Sequence, residues 1–484
     1  MQIRPSTLTK NKRIIALALI VGIILGVFCT RLPILSAKEA DRSKLFEELR
    51  TFADILTIVQ RDYVDDVKSK KLVEGAITGM LTNLDPHSGY LNPTFYKELQ
   101  AETKGEFGGL GIEITNRGGL LTVVSPMEGG PAYRVGVKAK DIIVKINGVY
   151  TKNLTLMGAV KQLRGKKGTS VTISVLREGQ DDLLDFTIIR DIIALKSIKY
   201  RYLSDGFGYL RITQFLETTA SDLKKALAAM DKKVKSGQLK GLVLDLRNNP
   251  GGLLAQAVRV GDMFLKEGVI VYTDGRVEDQ KQKYFAHVQG TEPEYPVVVL
   301  VNGGSASAAE IVSGALQDAG RSLIVGTKTF GKGSVQTITP LRNGGALTLT
   351  TALYYTKSGR SIQVTGVKPD IEVIEEEQGT AKTSSEKKGK KKGRSSLLIR
   401  EGDLPGAIHN PNGAGGEGAL KKINKTPPTT PEVAYIDPET IKISEWLKRD
   451  NQFAKAVELL KTFDVFKEKG SGVATAAKEE SKVL

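Results

Sequence analysis

The apolar residues of residues 45–64 (LFEELRTFADILTIVQRDYV) recur three and four positions apart, which predicts a helical segment over 41–104. Asp85-Pro86-His87-Ser88-Gly89-Tyr90 breaks that pattern and reads as a structural turn. From 105 to 190 the pattern shifts to short strand-like runs. A glycine loop, Phe107-Gly108-Gly109-Leu110-Gly111, runs into a strand at Ile112-Glu113-Ile114. LLTVVSPM, GGPAYRVGVKAKDIIVKING, a helical stretch near 154–163 and TSVTISVLREG follow. From 191 to 375 strands alternate with helices. FGYLRI, GLVLDLR, VVVLVN, SLIVG, SVQTITPL and ALTLTTALYYT read as strands. TTASDLKKALAAM (with an amino-terminal cap), AQAVRVGDMFL and ASAAEIVSGALQDAG read as helices. This alternation predicts an α/β core with its sites at strand carboxyl ends.

Different patterns flank these modules. Lys10, Lys12 and Arg13 precede an uncharged stretch over 14–30, closed by Arg31. The positive flank predicts a cytoplasmic tail and signal-anchor helix over 1–40, with the rest exported across a bacterial membrane. A cleaved signal is the alternative, although Leu35-Ser36-Ala37 matches a cleavage site poorly. Phe28 stands where lipid attachment at Cys29 would want a small residue. Residues 376–430, rich in Gly, Lys, Ser and Pro, read as a disordered basic linker. Residues 431–484 read as a helical closing segment, which either docks on the body or pairs subunits.

Composition narrows the chemistry. The 484 residues, 40% hydrophobic and 26% charged, fit two or three globular domains. One cysteine excludes an internal disulfide and a cysteine zinc site. Three histidines (His87, His287, His409) leave little for metal chemistry, and any Ser-His-Asp scheme would have to recruit one of them. Of the net charge of +16, residues 382–394 supply +6 and Arg4, Lys10, Lys12 and Arg13 supply +4, so the rest of the chain is ordinarily balanced. That distribution argues against nucleic-acid binding, which wants basic residues on a folded face.

Two junctions carry candidate chemistry. VLVNGGSASAAEI places Ser305 and Ser307 between a strand end and a helix start, where helix amides face any developing negative charge. A serine there is also an ordinary N-cap. TKTFGKGSVQTI sets Lys332 between Gly331 and Gly333, with Gln336 four residues on. Gly326-x4-Gly331-Lys332 nearly spells a phosphate-binding loop, but Gly333 replaces the required Ser/Thr and a strand-like run follows.

The module over 105–190 resembles a PDZ domain. That resemblance implies a peptide added as an extra strand, its terminal carboxylate held by the backbone amides of Gly109, Leu110, Gly111 and Ile112. Arg164, at the end of the predicted helix, is a candidate helper. With LDLRNNPGG, VNGGSASAAEI and TFGKGSVQ in order after it, the chain resembles the C-terminal processing peptidases (tail-specific serine proteases) over residues 45–375. The resemblance implies an α/β protease core over 191–375 with an inserted PDZ domain. It implies Ser307 as nucleophile, Lys332 as base, Gln336 as its orienting partner, and the amides of Gly252 and Ala308 as oxyanion hole.

A lysine base must be neutral near pH 7, which burial achieves by disfavouring the ammonium. An amide at Gln336 accepts a hydrogen bond without restoring the positive charge that a carboxylate would favour. This chemistry needs no metal and no cofactor. The expected substrates are proteins with flexible C-terminal tails, and a homo-oligomer or an adaptor protein is compatible with the sequence. The competing reading is a non-catalytic PDZ peptide-binding scaffold of the cell envelope. The intact Ser307, Lys332 and Gln336 favour the enzyme.

Overall fold

The computed structural model describes residues 44–480 except 118, 128, 153, 155, 181, 235–236, 290–293, 376–399 and 413–439. The expected anchor over 14–30 lies outside them. Among the described residues no helix is long and apolar enough to cross a membrane. The chain divides into two compact units, residues 1–80 and 81–484. In the first, a helix over 44–62 is followed by one beginning at Ser69, and Gln60 Nε2 donates to Ser69 Oγ across the connection at 2.6 Å.

In the second unit, the strands Glu106–Gly109 and Asp191–Ala194 pair antiparallel, so the chain leaves and rejoins the body side by side. Between them lies an antiparallel sheet in the order Ile112–Arg117, Leu120–Pro126, Ile142–Ile146, Ser170–Leu176, Leu184–Ile189. Its own core holds Val123, Ile143, Ile146, Val171, Ile173 and Ile188. The helix Leu156–Leu163 contributes Ala159 and Leu163 to it.

The body is built on a six-stranded sheet in the order Ile198–Tyr202, Phe207–Ile212, Gly241–Asp245, Val297–Val301, Ser322–Gly326, Ile371–Glu372. All neighbours but the first pair run parallel. Every residue of Gly241–Asp245 and Val297–Val301 is buried, the uniform burial expected of a parallel strand covered on both faces. One face is covered by the helices Thr219–Asp231, Leu254–Phe264 and Ala308–Asp318. The other is covered by Trp446, Phe453, Ala456 and Leu460 of the helices Ile443–Arg449 and Asn451–Glu480. Of the two roles open to the closing helices, docking on the body is the one seen. The expected amino-terminal cap of Thr219–Asp231 is not formed: Thr218 makes no side-chain cap bond. Thr219 Oγ1 turns inward instead, accepting from Leu216 N at 2.8 Å.

Two of the expected core strands leave this sheet. Ser334–Pro340 and Ala346–Tyr355 pair antiparallel in a second sheet with Gly89–Leu91, Val269–Gly275 and Lys283–Phe285. The loop carrying Lys332 therefore leads from one sheet into the other. A strand, and no helix, follows it, so it forms no phosphate cradle.

A buried ion network ties the closing helices to the sheet. Arg247 donates from Nη2 to Asp245 Oδ2 at 2.7 Å, and from Nη1 and Nη2 to Asp450 at 2.9 and 2.8 Å. Tyr209 Oη donates to the same Asp245 Oδ2 at 2.8 Å. Burial pushes Asp245 up, but the Arg247 guanidinium overrides it and holds the carboxylate below its usual range. Removing the cation leaves two buried carboxylates without it. Arg247→Leu is predicted to lower stability by about 3–5 kcal/mol. Urea unfolding followed by the fluorescence of Trp446, the chain's single tryptophan, packed 4.6 Å from the Tyr209 ring, measures it. A parent-like midpoint would show that the network carries no stability.

Candidate active site

Three loops converge at the carboxyl end of the parallel sheet, following Gly241–Asp245, Val297–Val301 and Ser322–Gly326. Asn302 Nδ2 donates to Asn248 Oδ1, and Asn248 N donates to Asn302 Oδ1, both at 2.9 Å. Ala306 N donates to Asn249 O at 2.9 Å and Phe330 N to Ser305 O at 3.1 Å. These bonds fix the loops to one another through groups that sequence spacing alone does not pair.

The structure separates the two candidate serines. Ser305 is fully buried; its hydroxyl donates to Leu246 O at 2.8 Å and accepts from Asn302 N at 3.0 Å, a structural role. Ser307 is partly exposed and stands at the start of Ala308–Asp318 with φ +52° and ψ −113°. An ordinary N-cap has extended geometry. A non-glycine residue at positive φ stores strain that the surroundings must hold, a feature concentrated at functional sites.

Gly251 and Gly252 lie against this turn. A Cβ on Gly251 (φ +103°) would stand 2.8 Å from Ser307 Cβ and 3.0 Å from Ala308 N, so only glycine permits the approach. A Cβ on Gly252 would meet Phe215 O at 2.3 Å. Ala308 opens the helix, and its amide has no acceptor within the helix.

The residue that joins the site is Glu310, which the sequence reading missed. Its Oε2 accepts from Ser307 N and from Lys332 N, each at 2.9 Å. Its Oε1 accepts from Gly331 N at 2.7 Å and from Thr329 Oγ1 at 2.5 Å. Ser307 and Lys332, 25 positions apart, are thus held by one carboxylate oxygen. The signal was present: Ser307-x-x-Glu310 has the spacing of a capping box. Burial pushes the Glu310 carboxyl up to about 7, against the pull of its four donors.

Lys332 is half-buried. Burial lowers its pKa, and the carboxylates of Glu401, Asp85 and Glu310 oppose that fall without cancelling it. Among the described residues its amine forms no ion pair, and no hydrogen bond joins it to Ser307 Oγ. Gln336 sits beside a bulge in Ser334–Pro340. Its Nε2 donates to Ser334 Oγ at 2.9 Å and toward Thr350 Oγ1 at 3.5 Å. It makes no hydrogen bond to Lys332.

The turn at residues 85–90 is structural, as expected. Asp85 Oδ1 accepts from His87 N and Ser88 N, each at 2.8 Å, and Oδ2 from Ser88 Oγ at 2.7 Å. His87 turns away from Ser88 and pairs with Glu401 at 2.9 Å. His287 is largely exposed and lies 3.3 Å from Asp262. In the smaller module, Gly109, Leu110, Gly111, Ile112 and Arg164 all line one groove, with the Arg164 guanidinium 4.6 Å over the Phe107 ring.

Similarity to known proteins defines the class. A model of peptidase family S41 matches residues 206–373, a PDZ domain model residues 98–176, and a model of the activating protease CtpB N-terminal domain residues 31–94. The carboxy-terminal-processing protease of Bartonella bacilliformis is 49% identical over 357 residues, 73% of this chain and 82% of that one. The carboxy-terminal processing protease CtpA of Bacillus subtilis is 36% identical over 318 residues, 65% of this chain and 66% of that one. Among solved structures, the photosystem II D1 C-terminal processing protease is 30% identical, with a TM-score of 0.41, over 67% of this chain and 92% of that one. The chain belongs to peptidase family S41, the carboxy-terminal-processing proteases, and carries a PDZ domain.

Glu310→Gln tests the shared carboxylate. Glutamine has one acceptor oxygen, so its NH₂ must face either the amides of Ser307 and Lys332 or the amide of Gly331 and the hydroxyl of Thr329. The expected result is a loss of about 1–3 kcal/mol in urea unfolding and a kcat that falls much more than KM rises. The pH dependence adds a sign. A carboxyl raised from 4.5 to about 7 by burial contributes stability that is complete below 4.5 and lost as pH rises through 7. The Gln variant is predicted to lack that decline, measured as unfolding midpoint against pH.

Proposed function

We propose that this chain is a serine endopeptidase that cleaves proteins near their carboxyl ends, with Ser307 as nucleophile and Lys332 as general base. The observation that carries this reading is the pair of 2.9 Å bonds from Ser307 N and Lys332 N to one oxygen of Glu310. Ser307 Oγ attacks the scissile carbonyl. The Lys332 amine takes the hydroxyl proton and delivers it to the leaving amine. The amides of Gly252 and Ala308 hold the oxyanion, and water then hydrolyses the acyl-enzyme. The hydroxyl and amine are not hydrogen-bonded to each other; such contacts tighten when substrate excludes water. Gln336, with Nε2 held by Ser334, has Oε1 to offer the amine as acceptor.

The groove of the PDZ domain supports tail recognition. Its wall is apolar, from Phe107, Ile112, Ile114, Val160 and Leu163, with the cation of Arg164 at its rim. A substrate's last residue inserts its apolar side chain there, and the amides of the Gly109–Ile112 loop receive its carboxylate. The positively flanked stretch over 14–30 supports a reading in which the chain is exported and anchored, with its body on the extracytoplasmic face of a bacterial inner membrane.

Cleavage of an unfolded protein with an apolar carboxyl end tests the chemistry. Ser307→Ala and Lys332→Ala are each predicted to lower kcat at least about a thousandfold. Persistent cleavage by Lys332→Ala would refute the base. Because the base works only when neutral, and burial lowers its pKa, kcat/KM rises with pH through that lowered value. Disturbing one oxyanion amide costs about 2.7–4 kcal/mol of transition-state stabilisation. Amidating the substrate's terminal carboxylate is predicted to raise KM severalfold. An unchanged KM would remove the PDZ domain from substrate capture.

A further inference from the structure

The stretch expected to be linker over 376–430 contains a folded part. Residues 400–412 return to the body, and Glu401 is fully buried. Its amide donates to Phe330 O at 3.3 Å. Its Oε1 accepts from Gln363 Nε2 at 2.9 Å, and both carboxylate oxygens lie 2.9 Å from His87 Nε2. Gln363 Oε1 in turn accepts from Gly333 N at 2.8 Å. Two hydrogen bonds therefore lead from Glu401 to the amide that follows Lys332.

The rest of the segment secures this arrangement. Gln363 Nε2 donates to Ile408 O at 3.1 Å, Asn410 Nδ2 to Gln363 O at 2.7 Å, and Ser361 N to Asn412 Oδ1 at 2.9 Å. Beside it, Val364 sits at φ +65° with its amide donating to Gly331 O at 2.7 Å. A β-branched residue in that region is an outlier that needs outside support. Gly402 packs there, where a Cβ would stand 3.0 Å from Val364 Cγ1.

We propose that Glu401 is a positioning residue for the base: it anchors the Gly331–Gly333 loop through Gln363, and its negative charge bears on the Lys332 amine. This rests on the reading of Lys332 as base. A purely structural clamp would need the hydrogen bonds but not the charge. The charges facing the amine come from three elements: Glu310 on its helix, Asp85 in its turn and Glu401 on the returning segment. His87 lies beside Glu401, and Lys328 and Arg400 lie nearby. Burial drives the amine toward neutrality, and the carboxylate at 401 restrains that drift. It does so without an ion pair to the amine; among the described residues its oxygens meet Gln363 and His87 instead.

Two variants of the full chain separate charge from anchor. Glu401→Gln keeps the shape and an acceptor for Gln363 but removes the charge. The acidic limb of its kcat/KM–pH profile is predicted to move about one unit to lower pH. Glu401→Asp keeps the charge and withdraws the carboxylate by one methylene. Its limb is predicted to stay in place while kcat falls at least about tenfold and KM stays within about twofold. A Gln profile that superimposes on the parent's overturns the charge role, and an Asp kcat equal to the parent's overturns the anchor. Lys332→Ala is measured alongside. If it retains activity, the base assignment itself fails. If it is inactive while both Glu401 variants behave as the parent, only the present inference fails.

Discussion

One buried carboxylate holds the site together. Glu310 stands on the first turn of the helix that Ser307 opens, and its two oxygens are occupied by three backbone amides and one hydroxyl. Three of those donors belong to the loop over 329–332, which leads into a different sheet. The loops bearing Ser307 and Lys332 follow neighbouring strands, Val297–Val301 and Ser322–Gly326, which pair parallel, and the shared acceptor ties the two loops together beyond the strand ends. The arrangement also accounts for the strained backbone at Ser307. A residue at φ +52° persists when its amide is held, and here the holder is rigid because it lies on a buried helix.

The rest of the fold makes that helix rigid. A parallel sheet whose central strands are buried throughout must be covered twice, and the second cover arrives from the far end of the sequence, in Trp446, Phe453 and Leu460. Arg247 links that cover to the loop bearing Asn248, Gly251 and Gly252. The closing helices thus complete the core on one side, and through Arg247 they fix the start of the glycine turn packed against Ser307.

Much of this was legible in the residues. Continuous apolar runs such as VVVLV read as strands of an α/β core, the short strand-like runs of 105–190 read as a separate module, and the family resemblance of TFGKGSVQ singled out Lys332. What escaped was pairing at long range. Spacing alone does not separate Ser305 from Ser307; the family resemblance singled out Ser307, and burial and a positive φ distinguish the two in the fold. SVQTITPL reads as one more core strand until its partner, Ala346–Tyr355, is known. Glu401 follows a tract rich in Gly, Ser and Lys, and composition averaged over that window hides one buried glutamate. Gln336 was expected, from the resemblance, to partner Lys332, but its amide nitrogen is bonded to Ser334 and it makes no hydrogen bond to Lys332.

Two buried cations in this chain show how the same physics serves opposite ends. Arg247 has two carboxylates in direct contact, and its pKa rises well above the ordinary value even though burial opposes it. Lys332 has three carboxylates near it, and its pKa falls because burial prevails. The difference lies in contact: the carboxylates of Arg247 stand at 2.7 and 2.8 Å, whereas among the described residues none pairs with the Lys332 amine. The carboxylates around Lys332 accept elsewhere, Glu310 from amides and Thr329, Asp85 from its own turn and Thr350, and Glu401 from Gln363 and His87. The lysine receives the field of its neighbours without a hydrogen bond from any of them. A field at a distance moderates a buried amine, whereas a direct ion pair would lock it in the charged form. In the proposed role of Lys332 as base, an amine that accepts a proton and gives it back needs the first and cannot use the second.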